Sequence, residues 1–269
     1  MKQISSRENP RYKELLRLAR SARARREQGV ILMEGVHLIR AYIDRFGPDT
    51  VSLFIKRSAR DHPEIAVMAA GRIPMIVLDD SLFERAAPVQ SSVGILALGG
   101  RPDAIAPAIR ADGFHVLLDG VQDPGNVGAI LRSAAAAGTV AAHLSSDCAD
   151  PWSAKALRGG MGAQFVIRVE QHADLTEAAA AVGAPLIACV ASAPTSLFDA
   201  DLRSAAGFII GGEGAGISPT LIKRAHQLLR IPMGDGIESL NAAAAAAVVF
   251  YERLRQVTHV MQHKASQLG

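Results

Sequence analysis

The chain has 269 residues, of which 49% are hydrophobic, 20% charged and 4% aromatic, a balance that excludes a disordered, collagen-like or membrane-embedded class. Its formal charge is +3, yet residues 1–30 carry nine Lys or Arg against three Glu, so the basic excess lies wholly in that segment. Two cysteines, Cys148 and Cys189, have no His or Cys at ligand spacing beside them, which supports neither a disulfide framework nor a structural zinc. The first residues lack an apolar export core, and the longest apolar run, Ala242 to Tyr251, is about half of a bilayer span. A cytoplasmic protein without a membrane anchor is expected, built as two small domains of helices packed on sheets.

In chain order, Arg11 to Arg26 reads as one basic amphipathic helix, with Leu15, Leu16, Leu18 and Ala22 on its apolar side. Strands at 30–33, 51–55, 73–78 and 93–98 alternate with helices at 36–46, 64–71 and from 81, which predicts a small α/β domain over residues 1–101. A linker over 102–111 follows. From 112 to 269 the alternation resumes, with strands at 115–118, 140–144, 166–169, 186–190, 208–210 and 228–231. Their continuous apolar character predicts a buried parallel sheet. The intervening helices fall at 127–137, 153–158, 175–182 and 219–225, and a long one runs from 240 to 256, capped by Ser239 or the loop before it.

Clustered Lys and Arg on one face form the electrostatic footprint of phosphate-backbone binding, here Arg7, Lys13, Arg23, Arg25 and Arg26. A solvated helix face accounts for the same charges equally well. Tyr12 is the one aromatic in that segment, so nucleic-acid recognition there would use phosphates and shape, without stacking.

Gly211 to Gly216 ends a buried strand, where open α/β sheets bind ligands. Ile217 stands where a P-loop needs Lys, and the spacing also fails the dinucleotide fingerprint, so neither ATP nor NAD is indicated. Two other polar segments lie at strand ends. Asn126 opens one helix, and Arg132 sits further along it among apolar neighbours, as a partly buried arginine needing an anion such as Glu213. Ser239 and Asn241 precede a helix that starts in six alanines and could pack closely within the chain or across a dimer seam. His259 and His263 lack the Glu of a helical zinc motif, and no metal site is expected.

The three segments resemble the signature motifs of the SpoU/TrmH branch of the SPOUT superfamily, the RNA 2′-O-ribose methyltransferases. The first spans Asp123 to Ala134, the second Phe208 to Ser218, and the third Ile231 to Ala242, running into Tyr251 and Glu252. Residues 5–13, 25–35 and 92–97 are similar, more loosely, to that family's small substrate-binding domain. The resemblance implies a C-terminal parallel-sheet domain with a deep trefoil knot, an exception to the near absence of knots. It implies S-adenosylmethionine bound around Gly211, Gly212, Gly214, Ile231, Met233 and Leu240, with Glu213, Ser239 and Asn241 organising the site. It further implies a homodimer in which Arg132 reaches the partner's cofactor site, with Asn126 orienting Arg132 or the ribose. Gly212 departs from the Asn of many relatives, as does Ala242 from Val or Ser. Ribosomal RNA is the expected substrate, because the N-terminal domain exceeds what a minimal transfer RNA enzyme carries. Transfer RNA, or a non-catalytic RNA-binding role for the same scaffold, remain the alternatives.

Overall fold

The computed structural model describes residues 2–70, 73–88, 93–102, 113–172, 174–183 and 185–267, with side chains described except at 69–70 and 259–267. The expected linker after Pro102, Ser92, and the side chains of His259 and His263 lie outside those residues. The chain forms two compact units, and its division differs from the continuous boundaries expected. The first comprises Met1–Asp103 together with Trp152–Phe165, and the second Ala104–Pro151 with Val166–Gly269.

The first unit opens with β1 (Lys2–Ile4), a strand too short to have left a periodic signal. Asn9 caps α1 (Pro10–Arg20) by accepting from the Arg11 amide at 3.0 Å, and Pro10 supplies a pre-set first turn. The expected single basic helix is in fact two. Ser21 adopts an extended backbone, and its hydroxyl accepts from the Ala24 amide at 3.1 Å, starting α2 (Ala22–Gln28), which Gly29 ends at φ +62°. Then follow β2 (Val30–Glu34), α3 (Val36–Phe46), β3 (Val51–Lys56), α4 (Pro63–Ala70), β4 (Met75–Leu78), α5 (Asp80–Ala86) and β5 (Ile95–Gly100). The five strands order as β1-β4-β3-β5-β2, with β5 antiparallel to both neighbours. Tyr12 and Leu15 of α1 are buried with Phe54, Leu78, Phe83 and Leu96, so the apolar side of the basic helix is committed to this core.

The second unit begins with β6 (Phe114–Asp119), α6 (Pro124–Ala136) and β7 (Thr139–Ser145). The chain then contributes α7 (Ala154–Gly160) to the first unit, where Phe165 packs edge-on to Tyr42 and Phe46 at centroid distances of 5.3 and 5.8 Å. It returns through β8 (Arg168–His172), α8 (Leu175–Val182), β9 (Leu186–Cys189), β10 (Thr195–Ser196), β11 (Gly207–Gly211), α9 (Pro219–Arg224), β12 (Gln227–Arg230) and α10 (Ala242–Gln267). These seven strands form one sheet in the order β10-β12-β9-β11-β6-β7-β8, with every described pairing parallel. Phe114, Phe208 and Phe250 cluster where α10 meets the sheet, at centroid separations of 5.4 to 6.0 Å. On the opposite face Leu117 and Ile209 pack with Leu175 and Ala179 of α8 and Leu221 of α9. Because the strands are parallel, their C-terminal ends share one edge, and all three motif segments pass over or start beside it.

Candidate functional site

The site is organised from the end of β6. The Asp119 carbonyl accepts from the Gly212 amide at 2.8 Å, and its carboxylate accepts from the Ser218 amide at 2.7 Å. One acidic residue therefore fastens both ends of the glycine loop. Sequence reasoning missed Asp119, although an Asp-Gly pair closing a buried strand is a visible turn signal. Inside the loop the Gly216 amide returns to the Gly212 carbonyl at 3.1 Å, with Gly216 at φ +66°.

Close approach requires two of the loop glycines. A Cβ on Gly211 would lie 2.3 Å from the Gly216 carbonyl carbon, and one on Gly212 would lie 2.0 Å from the Gly120 carbonyl oxygen. Glycine is thus required at position 212, since the β6 turn passes where a side chain would stand. Gly214 is exposed, with nothing within 4 Å of such a Cβ.

The other polar residues meet across this turn. Asp123 caps α6 by accepting from the Asn126 amide at 2.9 Å, which fixes Asn126 in the first helical turn. The Asn126 side-chain amide donates to Glu213 Oε1, and its Oδ1 accepts from Asn241 Nδ2 at 3.1 Å. Asn241 Oδ1 in turn accepts from the Ala243 and Ala244 amides at 2.9 and 3.2 Å. Asn241, and not Ser239, is therefore the cap of α10. Ser239 is exposed and makes no side-chain hydrogen bond among the described residues.

Arg132 differs from its expectation. It is exposed on α6, and Glu213 is engaged by Asn126 instead. The apolar neighbours that suggested burial, Ile130, Leu131 and Ala134, point into the core while Arg132 points away from it.

Ile231 and Met233 are half-buried in the segment between β12 and α10, and Leu240 and Ile237 expose 40% and 59% of their surface there. Within 231–241 the one backbone hydrogen bond among the described residues runs from the Ile237 amide to the Gly234 carbonyl at 3.3 Å. The segment thus sets backbone donors and acceptors outside regular structure beside apolar side chains, a lining suited to a ligand with both apolar and polar groups. Cys148 takes no chemical part: its buried thiol donates to the Leu118 carbonyl at 3.2 Å, and burial pushes its pKa up.

Among the basic residues of the first unit, Arg7 is exposed, while Lys13 and Arg23 form solvent-exposed ion pairs with Glu8 and Glu27 at 2.5 and 2.7 Å. Such exposed pairs contribute little to stability and open readily to a phosphate. Arg25 is used internally, donating to the Leu18 and Ala19 carbonyls at 2.7 and 3.3 Å at the end of α1. Arg26 is exposed on α2.

Fold and site together define a parallel α/β protein that gathers three polar segments at the C-terminal edge of its sheet. The model of the SpoU rRNA methylase family matches residues 113–251, and the chain belongs to that family. An uncharacterised tRNA/rRNA methyltransferase of Synechocystis is 31% identical over 268 residues, covering 94% of this chain and 93% of that one. The 23S rRNA (guanosine(2553)-2′-O)-methyltransferase RlmP of Bacillus subtilis is 28% identical, covering 93% and 98%. Among solved structures, the SpoU methyltransferase AviRb of Streptomyces viridochromogenes, in complex with AdoMet, superposes with a TM-score of 0.81 at 25% identity, covering 93% and 98%.

Proposed function

We propose that this protein transfers a methyl group from S-adenosylmethionine to a ribose 2′-hydroxyl of RNA, with ribosomal RNA as the substrate. The observation that carries the reading is the hydrogen-bonded chain Asn241–Asn126–Glu213, which ties one residue from each motif into a single unit. Gly211, Gly212 and Gly214, with Ile231, Met233 and Leu240, hold the cofactor, and the open backbone of 231–241 supports this assignment. When bound, the cofactor supplies a methyl group already activated on a sulfonium.

The protein's task is then placement, and ideal proximity is worth about 7–11 kcal/mol. Asn126, held from both sides, orients the ribose. Arg132 clamps the adjoining phosphate and, as a hydrogen-bond donor, stabilises the developing alkoxide, whose proton leaves to solvent. Glu213 and Asn241 fix Asn126, and Ser239 contacts the cofactor or ribose from the exposed loop. The chain from β11 through α10 forms a trefoil knot, and the protein acts in the cytoplasm as a homodimer in which Arg132 serves the partner's site. The exposure of Arg132 supports that placement. Arg7, Lys13, Arg23 and Arg26 of the 1–101 region contact the RNA backbone, while Arg25, also expected there, is committed to the Leu18 and Ala19 carbonyls, and no described helix is long and apolar enough to cross a membrane.

The test is incubation with methyl-labelled S-adenosylmethionine and unmodified ribosomal or transfer RNA, followed by digestion to nucleosides. Label on a ribose of ribosomal RNA, lost in Arg132→Ala, is the expected result. Label on transfer RNA alone would transfer the assignment to that substrate, and no cofactor binding at all would leave an RNA-binding scaffold.

A further inference from the structure

On the α8 face of the parallel sheet, three histidines and a glutamate converge outside the methyl-transfer site. Register places them there: His115 shares its sheet face with His143, which lies beside Glu170, and Ser145 lies beside His172, so neighbouring strands present all four side chains together. His143 Nδ1 is 3.0 Å from His172 Nε2 and 3.3 Å from Glu170 Oε2, and those last two atoms are 3.6 Å apart. A tetrahedral Zn²⁺ with ligand bonds of about 2.0–2.1 Å sets its ligand atoms about 3.3–3.4 Å from one another. The observed triangle, with sides of 3.0, 3.3 and 3.6 Å, brackets that separation, and shifts of a few tenths of an ångström would equalise it.

From this geometry we infer that His143, Glu170 and His172 form a binding site for one divalent transition-metal cation of the zinc class, with the fourth position open to solvent. The surrounding groups are arranged as a metal site requires. His115 Nδ1 lies 3.0 Å from His143 Nε2, so it accepts the proton there and leaves the His143 Nδ1 lone pair free for the ion. Arg168 pairs with Glu170 Oε1, leaving Oε2 as a single ligand atom, and half-exposure of Arg168 screens its charge. His172 and Glu170 are 25% and 29% exposed, so an ion can enter from solvent. Once bound it would pin the edge strand β8 to β7.

This departs from the expectation of no metal site. The ligands come from two strands 27 residues apart in sequence, and within β8 the pair Glu170 and His172 is only an alternating Glu-x-His.

The full-length protein, stripped with chelator, is titrated with Zn²⁺ by calorimetry and with Co²⁺ by visible absorption, alongside Glu170→Gln, His172→Ala and His115→Ala. These positions lie at the sheet's edge or behind it, and circular dichroism confirms that each variant is folded. Expected are one equivalent of Zn²⁺ per chain and intense tetrahedral Co²⁺ bands, with affinity lowered about 10–100-fold in His115→Ala and more in the two ligand variants. Substoichiometric Zn²⁺ in the unaltered protein would overturn the inference. Retention of the bands in both ligand variants would overturn it too, since surface histidines would then be responsible.

Discussion

Asn241 works in two directions at once: its Oδ1 caps α10 while its Nδ2 donates to Asn126 Oδ1 at 3.1 Å. Helix start and candidate site are therefore one structure. Asn241→Asp separates the roles, since a carboxylate still caps a helix but cannot donate to Asn126. The expected result is a melting temperature close to the parent's with methyl transfer lowered about 100-fold, the scale of a misplacement of about 1 Å. Asn241→Ala should add a loss of about 0.5–2 kcal/mol in urea unfolding. Full activity in Asn241→Asp would show that the bond to Asn126 is incidental.

The loop glycines divide by what lies beside them. Gly212→Ala puts a methyl against the Gly120 carbonyl and Gly211→Ala puts one against Gly216, whereas Gly214→Ala meets open space. Chemical denaturation should show losses of about 1–3 kcal/mol for the first two and under about 0.5 kcal/mol for the third. Equal losses at all three positions would contradict the packing described.

Exposure of Arg132 predicts that Arg132→Ala leaves stability unchanged while abolishing turnover. If it serves the partner's site, mixing Arg132→Ala with Asn126→Ala protein after subunit exchange restores about a quarter of parental activity. Half of the dimers are then mixed, and each holds one intact site. Sedimentation velocity establishes the dimer first. A mixture as inactive as its components would place Arg132 in its own chain's site.

Glu252 couples stability to pH. Hydrogen bonds from Arg255, and then Gln256, hold its carboxyl below the usual range, and Gln256 also bonds the Ala200 carbonyl and the Leu202 amide. A lowered folded pKa gives stability that is present above about pH 4.3 and lost as pH falls through the folded value. Glu252→Gln should therefore be less stable than the parent at pH 7, with the gap narrowing toward pH 3. A gap independent of pH would remove the ion pair from the account.

Arg25 and Arg23 should behave differently despite their proximity. Arg23→Ala or Arg7→Ala should weaken RNA binding and reduce the log–log salt slope by about 1 each. Arg25→Ala should instead destabilise the first unit, because it removes the donor to the Leu18 and Ala19 carbonyls. Filter binding at several salt concentrations, with thermal melts, separates the two effects.

The elements whose local chemistry matches their final state were legible in the sequence. The apolar runs at 116–118 and 208–210 became buried parallel strands because both faces of that sheet are covered, and Asn126, Glu213 and Asn241 announced themselves as polar residues at strand ends. Local reading failed where a neighbour distant in sequence decides. Val166 suggested the start of β8, yet it is 55% exposed and the strand runs from Arg168 to His172, set by pairing with β7. Ser21 breaks a periodicity that looked continuous, and α1 and α2 are two helices.

Apolar alternation by itself determined the parallel α/β class, and the resemblance of three segments to known motifs gave the family and the candidate site, because alternation, glycine turns and capping residues act within a few positions of the chain. Only the tertiary structure decided that Asn126 and not Arg132 engages Glu213, that Gly212 is required by Gly120, and that His143 meets Glu170 and His172. Strand order and register bring together groups far apart in sequence, and neither is encoded in any local pattern.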